Sequence, residues 1–168
     1  SFKLLALVGL ICVALFPNAL FSVGFVLSMA GVFYIFLFVR HCPKMPVVLY
    51  FVLFNVAIFF SIMSIVHYFF SYFSPYQLVS IPISVAFVAF FPLMIVLHIF
   101  GFGGIFDKWL DMVANLQIPS IDYYLPLPLT LIYVALSFGA IASKKIYAVM
   151  LICALGFWGY LLVRFVNI

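Results

Sequence analysis

Ser61, Ser64, His67 and Ser71 are the residues of this chain whose types and spacing could do chemistry. At about 100° per residue they fall within roughly a third of a helix circumference. A helix there would align three hydroxyls and an imidazole along one face, with Asn55 on roughly the opposite face. Such a stripe can line a proton or solute path, or it can hydrogen-bond a neighbouring helix. In lipid the second use is the commoner, at roughly 0.6–2 kcal/mol per contact.

A second imidazole, His98, raises the haem alternative of one axial ligand from each of two helices. Depth argues against it. In a plain hairpin His67 would lie about 9 Å from the shared interface and His98 about 26 Å, at 1.5 Å per residue. No cofactor is therefore expected. Asp107 and Asp111, one helical turn apart beside Lys108, could hold a divalent cation, but they read better as a solvated helix face. Asp122 is the third acid, also placed at an interface. No metal site follows, because Cys12, Cys42 and Cys153 form no paired spacing. No GxSxG elbow or base–orienter pair accompanies the serines, so no catalytic residue is assigned. A membrane enzyme acting on lipid would have only His41, Asp107, Asp111 and Asp122 to use. Gly101, Gly103 and Gly104 have no Lys-Ser/Thr after them, and read as a helix end rather than a phosphate loop.

The elements that must position these residues follow from composition. Of 168 residues, 70% are hydrophobic and 6% charged, against roughly 25% charged in soluble domains. That surface cannot face water. The apolar runs continue for twenty residues or more without the alternation of a barrel strand, so they are helices with backbone bonds closed internally. The fold class is all-α: a polytopic integral membrane bundle of about five or six transmembrane helices plus one interfacial amphipathic helix. The spans are expected at 4–16, 19–39, 47–73, 81–106, 125–143 and 146–163, in a single domain covering 1–168. Residues 4–16 span only about 20 Å and could be read as a signal peptide. A second apolar run follows at once, without a small-x-small cleavage site, and favours a membrane hairpin turning at Pro17-Asn18. Residues 107–118 differ in kind: Trp109, Met112, Val113 and Leu116 share one face and Lys108, Asp111 and Asn115 the other, with Asp107 a possible cap and Pro119 a stop.

If every run crosses, the Arg40–Lys44 loop and Lys144-Lys145 fall on opposite sides. The positive-inside rule then makes the Arg40 side cytoplasmic and strands the Lys pair outside. If 81–106 instead enters and leaves by one face, bending near Pro92, both basic loops share a side. The first arrangement is the expected one, because 26 apolar residues suffice to cross.

Small residues mark faces that helices can approach closely: Gly24 and Ser28 with Gly31 three further on, then Ala135, Gly139 and Ser143, then Gly156 and Gly159 with Cys153. They fit either tight internal packing or a seam for another membrane subunit. The net charge of +4 rests on seven bases and three acids, with no cluster suited to nucleic acid. The functional expectation is a non-catalytic subunit or accessory component of a larger membrane complex, in a bacterial inner membrane or an organellar membrane. A small transporter or channel using Ser61, Ser64 and His67 is the alternative, and a lipid-modifying enzyme comes third.

Overall fold

The computed structural model describes residues 1–42, 45–115 and 118–167, the side chains at 84, 85, 89, 103 and 114 excepted. The described residues form seven α-helices: α1 (Phe2–Leu15), α2 (Val23–His41), α3 (Val47–Phe69), α4 (Ser80–Ile99), α5 (Asp107–Ala114), α6 (Leu127–Gly139) and α7 (Lys144–Val166). Two-residue strands at Tyr72–Phe73 and Ile121–Asp122 and short 3-10 turns at Pro17–Phe21, Pro75–Val79 and Gly103–Phe106 accompany them. The helices group into two compact units, residues 1–73 with 122–168, and residues 74–121.

Three helices, α2, α3 and α7, are long and apolar enough to cross a membrane. Continuous hydropathy over 19 to 23 residues matches the roughly 30 Å of a hydrocarbon core at 1.5 Å per residue. A fourth would come from α4 with its preceding turn, but that pair bends by 45° between Val88 and Phe90. Pro92 explains the position. It has no N–H to give the Val88 carbonyl, and its ring crowds that carbonyl. At 14 and 13 residues, α1 and α6 are about 20 Å long. The difference between three or four spans and five or six lies in these short helices.

In the first unit, α1, α2 and α3 run up, down and up, and α6 and α7 run down and up. The core comes from one face of each: Tyr34, Leu37 and Phe38 of α2, Phe60, Met63 and Ser64 of α3, and Met150, Ala154 and Leu161 of α7 are all buried. Spacings of three, four and seven put each set on one stripe. Rings lock the seams, with Phe38 edge-on to Tyr50 and Phe54 at 5.2 and 5.4 Å. At Gly9 α1 approaches α2 so closely that a Cβ would come within 2.8 Å of the Met29 methyl.

The α6–α7 turn lies at the same end of this unit as the end of α2. The His41 Nε2 is 2.6 Å from the Ala140 carbonyl oxygen, and the His41 ring stacks on Tyr147 at 5.3 Å. This corrects the expected arrangement in which Lys144-Lys145 lay opposite Arg40. The physical reason is where the chain departs and returns. It leaves the unit after Phe73 and rejoins it at Asp122, and the Tyr123 N–H donates to the Ser71 carbonyl at 2.7 Å. Exit and re-entry therefore share the far end, and α6 starts its descent where α3 finished its ascent.

In the second unit, Ser74 accepts from the Tyr76 N–H at 3.4 Å and opens a 3-10 turn into α4. Gly101, with φ of 81°, ends α4. Its N–H reaches the His98 carbonyl and that of Phe102 the Leu97 carbonyl, a Schellman stop that needs a left-handed residue. Phe90 then meets Phe106 edge-on at 5.1 Å. The amphipathic segment is helical over Asp107–Ala114, and Asp107 is its first residue rather than a side-chain cap. Leu116 lies outside the described residues.

Candidate functional site

The polar face of α3 is turned into the first unit. Ser61, Ser64 and His67 are all buried, at 1%, 4% and 1% exposure. The reason lies in the helix period: three polar groups at third- and fourth-residue spacing can be kept from lipid together by one rotation of the helix.

What meets them comes from α2, α6 and α7. Tyr133 donates its hydroxyl to the Ser61 carbonyl at 2.9 Å. Ser137, one turn on, donates to the Tyr133 carbonyl at 2.8 Å, so its oxygen is left to accept from the Tyr34 hydroxyl at 3.1 Å. The Ser137 oxygen is also 3.3 Å from the Met150 sulfur. His67 bonds the Met63 carbonyl through Nδ1 at 3.0 Å. Nδ1 must therefore carry the proton, and Nε2 presents a lone pair. Aromatic rings enclose that imidazole: Phe157 edge-on at 5.5 Å and Phe73 at 5.9 Å.

Among the described residues, the buried Ser61 Oγ, His67 Nε2, Tyr147 Oη and Trp158 Nε1 have no hydrogen-bond partner. Each such group costs about 1–3 kcal/mol when left unmade. The Trp158 ring packs on Phe60 at 6.1 Å and on Phe73 at 6.4 Å, so the orphaned indole donor and the orphaned imidazole acceptor share Phe73 as a neighbour.

The bundle's two ends carry different charge. Arg40 and Lys144-Lys145 stand exposed at one end, and the start of α1 with Lys3 is turned toward that end, since the Phe2 ring packs on Phe33 and Phe36 of α2 at 5.6 and 5.7 Å. Burial pushes the Cys42 thiol above its usual pKa, and the nearby Lys144 ammonium pulls it partly back. At the far end the Arg164 guanidinium sits 5.2 Å over the Tyr123 ring, a cation–π contact suited to a headgroup region.

No known protein family, curated protein or solved structure matches this chain.

The other residues singled out by sequence are not brought into the seam. Asn55 is half-buried and donates to the Phe51 carbonyl of its own helix at 2.8 Å. His98, Asp107 and Asp111 are exposed in the second unit, whereas His67 belongs to the first. Asp122 is exposed at the far end of the first unit, opposite His41. No three His, Cys, Asp or Glu side chains gather among the described residues. The small-residue faces divide: a Cβ on Gly139 would meet Ile146 at 3.5 Å and one on Gly31 would meet Ile62 at 4.0 Å, while Gly24 and Ser28 are exposed. Gly156, beside the exposed Cys153, looks outward, and a Cβ on it or on Gly159 would meet nothing within 4 Å.

Sequence reasoning missed Tyr34, Tyr133, Ser137, Tyr147 and Trp158. Tyrosine in an apolar chain suggests an interfacial belt, and that prior hid three buried ones. Their signal was position: Tyr133 and Ser137 are four apart, in the middle of one apolar run.

Proposed function

We propose that this chain is a multi-pass, non-catalytic accessory subunit of a larger membrane complex. The observation that carries the reading is that the polar face of α3 is buried against neighbouring helices, where Tyr133 of α6 donates to the Ser61 carbonyl and Tyr34 of α2 bonds Ser137 of α6. No carboxylate lies within α2, α3 or α7, whereas pumps and transporters usually place charges there. The outward Cys153, Gly156 and Gly159 face of α7 is suited to close approach by another subunit's helix.

In the same reading the end bearing Lys3, Arg40, Lys144 and Lys145 is cytoplasmic. Because the chain leaves and rejoins the first unit at the opposite end, residues 74–121 make no net crossing. The 45° bend in α4 supports this, and α5, at eight residues, is too short to be a return span. α5 lies instead in the interface with Trp109 and Met112 toward lipid. A Lys145→Cys variant without the three native thiols should react only with reagent supplied from the cytoplasmic side.

Purification from the native membrane in mild detergent, with mass spectrometry of everything retained, tests the subunit reading. A stoichiometric membrane partner lost in Gly156→Leu is expected, and a lone monodisperse chain would sink the idea. The second reading, a small-solute or proton path, is favoured by the orphaned Ser61, His67 and Trp158 atoms. Flux in liposomes that disappears in His67→Ala would establish it.

A further inference from the structure

A long apolar cavity of about 630 Å³ runs through the first unit between α1, α2, α3 and α6. It lies outside the polar seam except where Tyr34 and Ser137 form part of its wall. Its direction is set by α6: Leu127, Thr130, Val134 and Phe138 all line it. Eleven helical rises from Leu127 to Phe138 cover about 17 Å along the helix axis. The slot is therefore elongated along the bundle, and partly open. Its volume falls within the range of sites that enclose a small organic ligand, but its walls offer almost no polar contact. The polar side chains there are Tyr68, Thr130, Ser137 and Tyr34, of which Thr130 is bonded to the Pro126 carbonyl and Ser137 and Tyr34 to each other.

One end of the slot is chemically distinct. Phe2, Phe33, Phe138 and Ile141 line it where the bundle carries Lys3, Arg40, Lys144 and Lys145. Lys3 follows Phe2 directly, and Lys144 is three residues beyond Ile141. The chain has three acids in all, of which two are in the second unit and Asp122 is at the opposite end of the first. No aspartate or glutamate of the first unit therefore lies at its basic end. An apolar slot along the helix axes with cations at one mouth matches a hydrocarbon chain with an anionic head.

We propose that this cavity binds an anionic membrane phospholipid, one acyl chain lying along α6 and the phosphate held at the Lys3, Lys144 and Lys145 end. The acyl chain fills space that the short helices α1 and α6 leave unpacked. The lysines supply the headgroup selectivity, since basic residues at a membrane surface each favour anionic lipid. This assignment stands whether the chain works as a subunit or as a path.

The test uses the full chain in nanodiscs and displacement of a tail-labelled phosphatidylglycerol by unlabelled lipids of the same acyl length. Phosphatidylglycerol should compete at least tenfold better than phosphatidylcholine, and the margin should shrink as salt rises. The exposed-site triple variant K3Q/K144Q/K145Q should lose that margin while keeping tail binding. Ala30→Phe, which fills the slot, should weaken both lipids. Equal competition by the two lipids in the native chain would overturn the proposal, as would undiminished binding in folded Ala30→Phe. A polyprenyl phosphate that displaces the probe at lower concentration than phosphatidylglycerol would overturn the assignment to phospholipid.

Discussion

Helices α3 and α4 are close in length and in apolar content, and each ends near a histidine, yet the protein uses them differently. Ala57, Phe60, Ser61, Met63, Ser64, Ile65 and His67 are buried along α3. Along α4 no described residue is buried, and Phe87, Val88, Phe91 and Ile99 stand exposed. The difference is in arrangement rather than hydrophobicity. In α3 the small and polar residues repeat at helical spacing, which gives it a face that other helices can contact closely. In α4 the polar residues Ser80, Ser84 and His98 lie toward the two ends with none between, and Pro92 removes a backbone bond and bends the axis. Hydropathy admits a helix to the bilayer, and the pattern within it decides whether the helix packs.

The largest test of that contrast is paired truncation. Phe60→Ala should destabilise the first unit by about 3–5 kcal/mol, through lost burial and the cavity left against Trp158. Phe91→Ala, at a residue 55% exposed, should stay within about 0.5 kcal/mol. Reversible unfolding in mixed micelles measures both, and equal losses would break the comparison. Next comes the backbone of α4. Pro92→Ala restores a donor to the Val88 carbonyl and should favour the straight helix locally by up to about 3 kcal/mol. Slower amide exchange over residues 90–94 would report it, with no change in α3.

A smaller effect is expected from the seam that holds α3 in place. Tyr133→Phe removes the hydroxyl bonded to the Ser61 carbonyl and should cost about 0.6–2 kcal/mol. The ring volume is kept, so a loss beyond that range would show that the hydroxyl organises more than one contact. The least effect lies just past the end of α2, at Cys42. Its raised pKa predicts alkylation that climbs with pH to a midpoint above that of an exposed thiol. Lys144→Gln removes a charge that favours the thiolate and should move the midpoint further up, slowing the reaction at any fixed pH below it. An unmoved midpoint would separate Cys42 from the turn into α7.

Much of α3 was legible in the chain. Of the Ser61, Ser64, His67 and Ser71 stripe, the first three are buried along α3, while Ser71 lies beyond the helix end and is exposed. After Gly104 the chain is helical over Asp107–Ala114, shorter than the expected 107–118. The partners of the stripe were not legible, because Tyr133, Ser137 and Tyr34 are chosen by how three helices rotate against one another. Asn55 shows the converse. It resembles its neighbours in type, but its position on the helix leaves it bonded to its own Phe51 carbonyl.

Composition alone determined that the chain is helical and suited to lipid, since charge is too scarce for a water-facing surface and apolar runs must close their own backbone bonds. The tertiary structure alone decided which end of the bundle carries Lys144-Lys145. Hydropathy is a local property, and it counts a bent run such as residues 81–106 as one crossing. Direction is a property of the whole path. It became readable only when Tyr123 was found bonded to Ser71 and His41 set against Ala140, which puts both basic turns at one end.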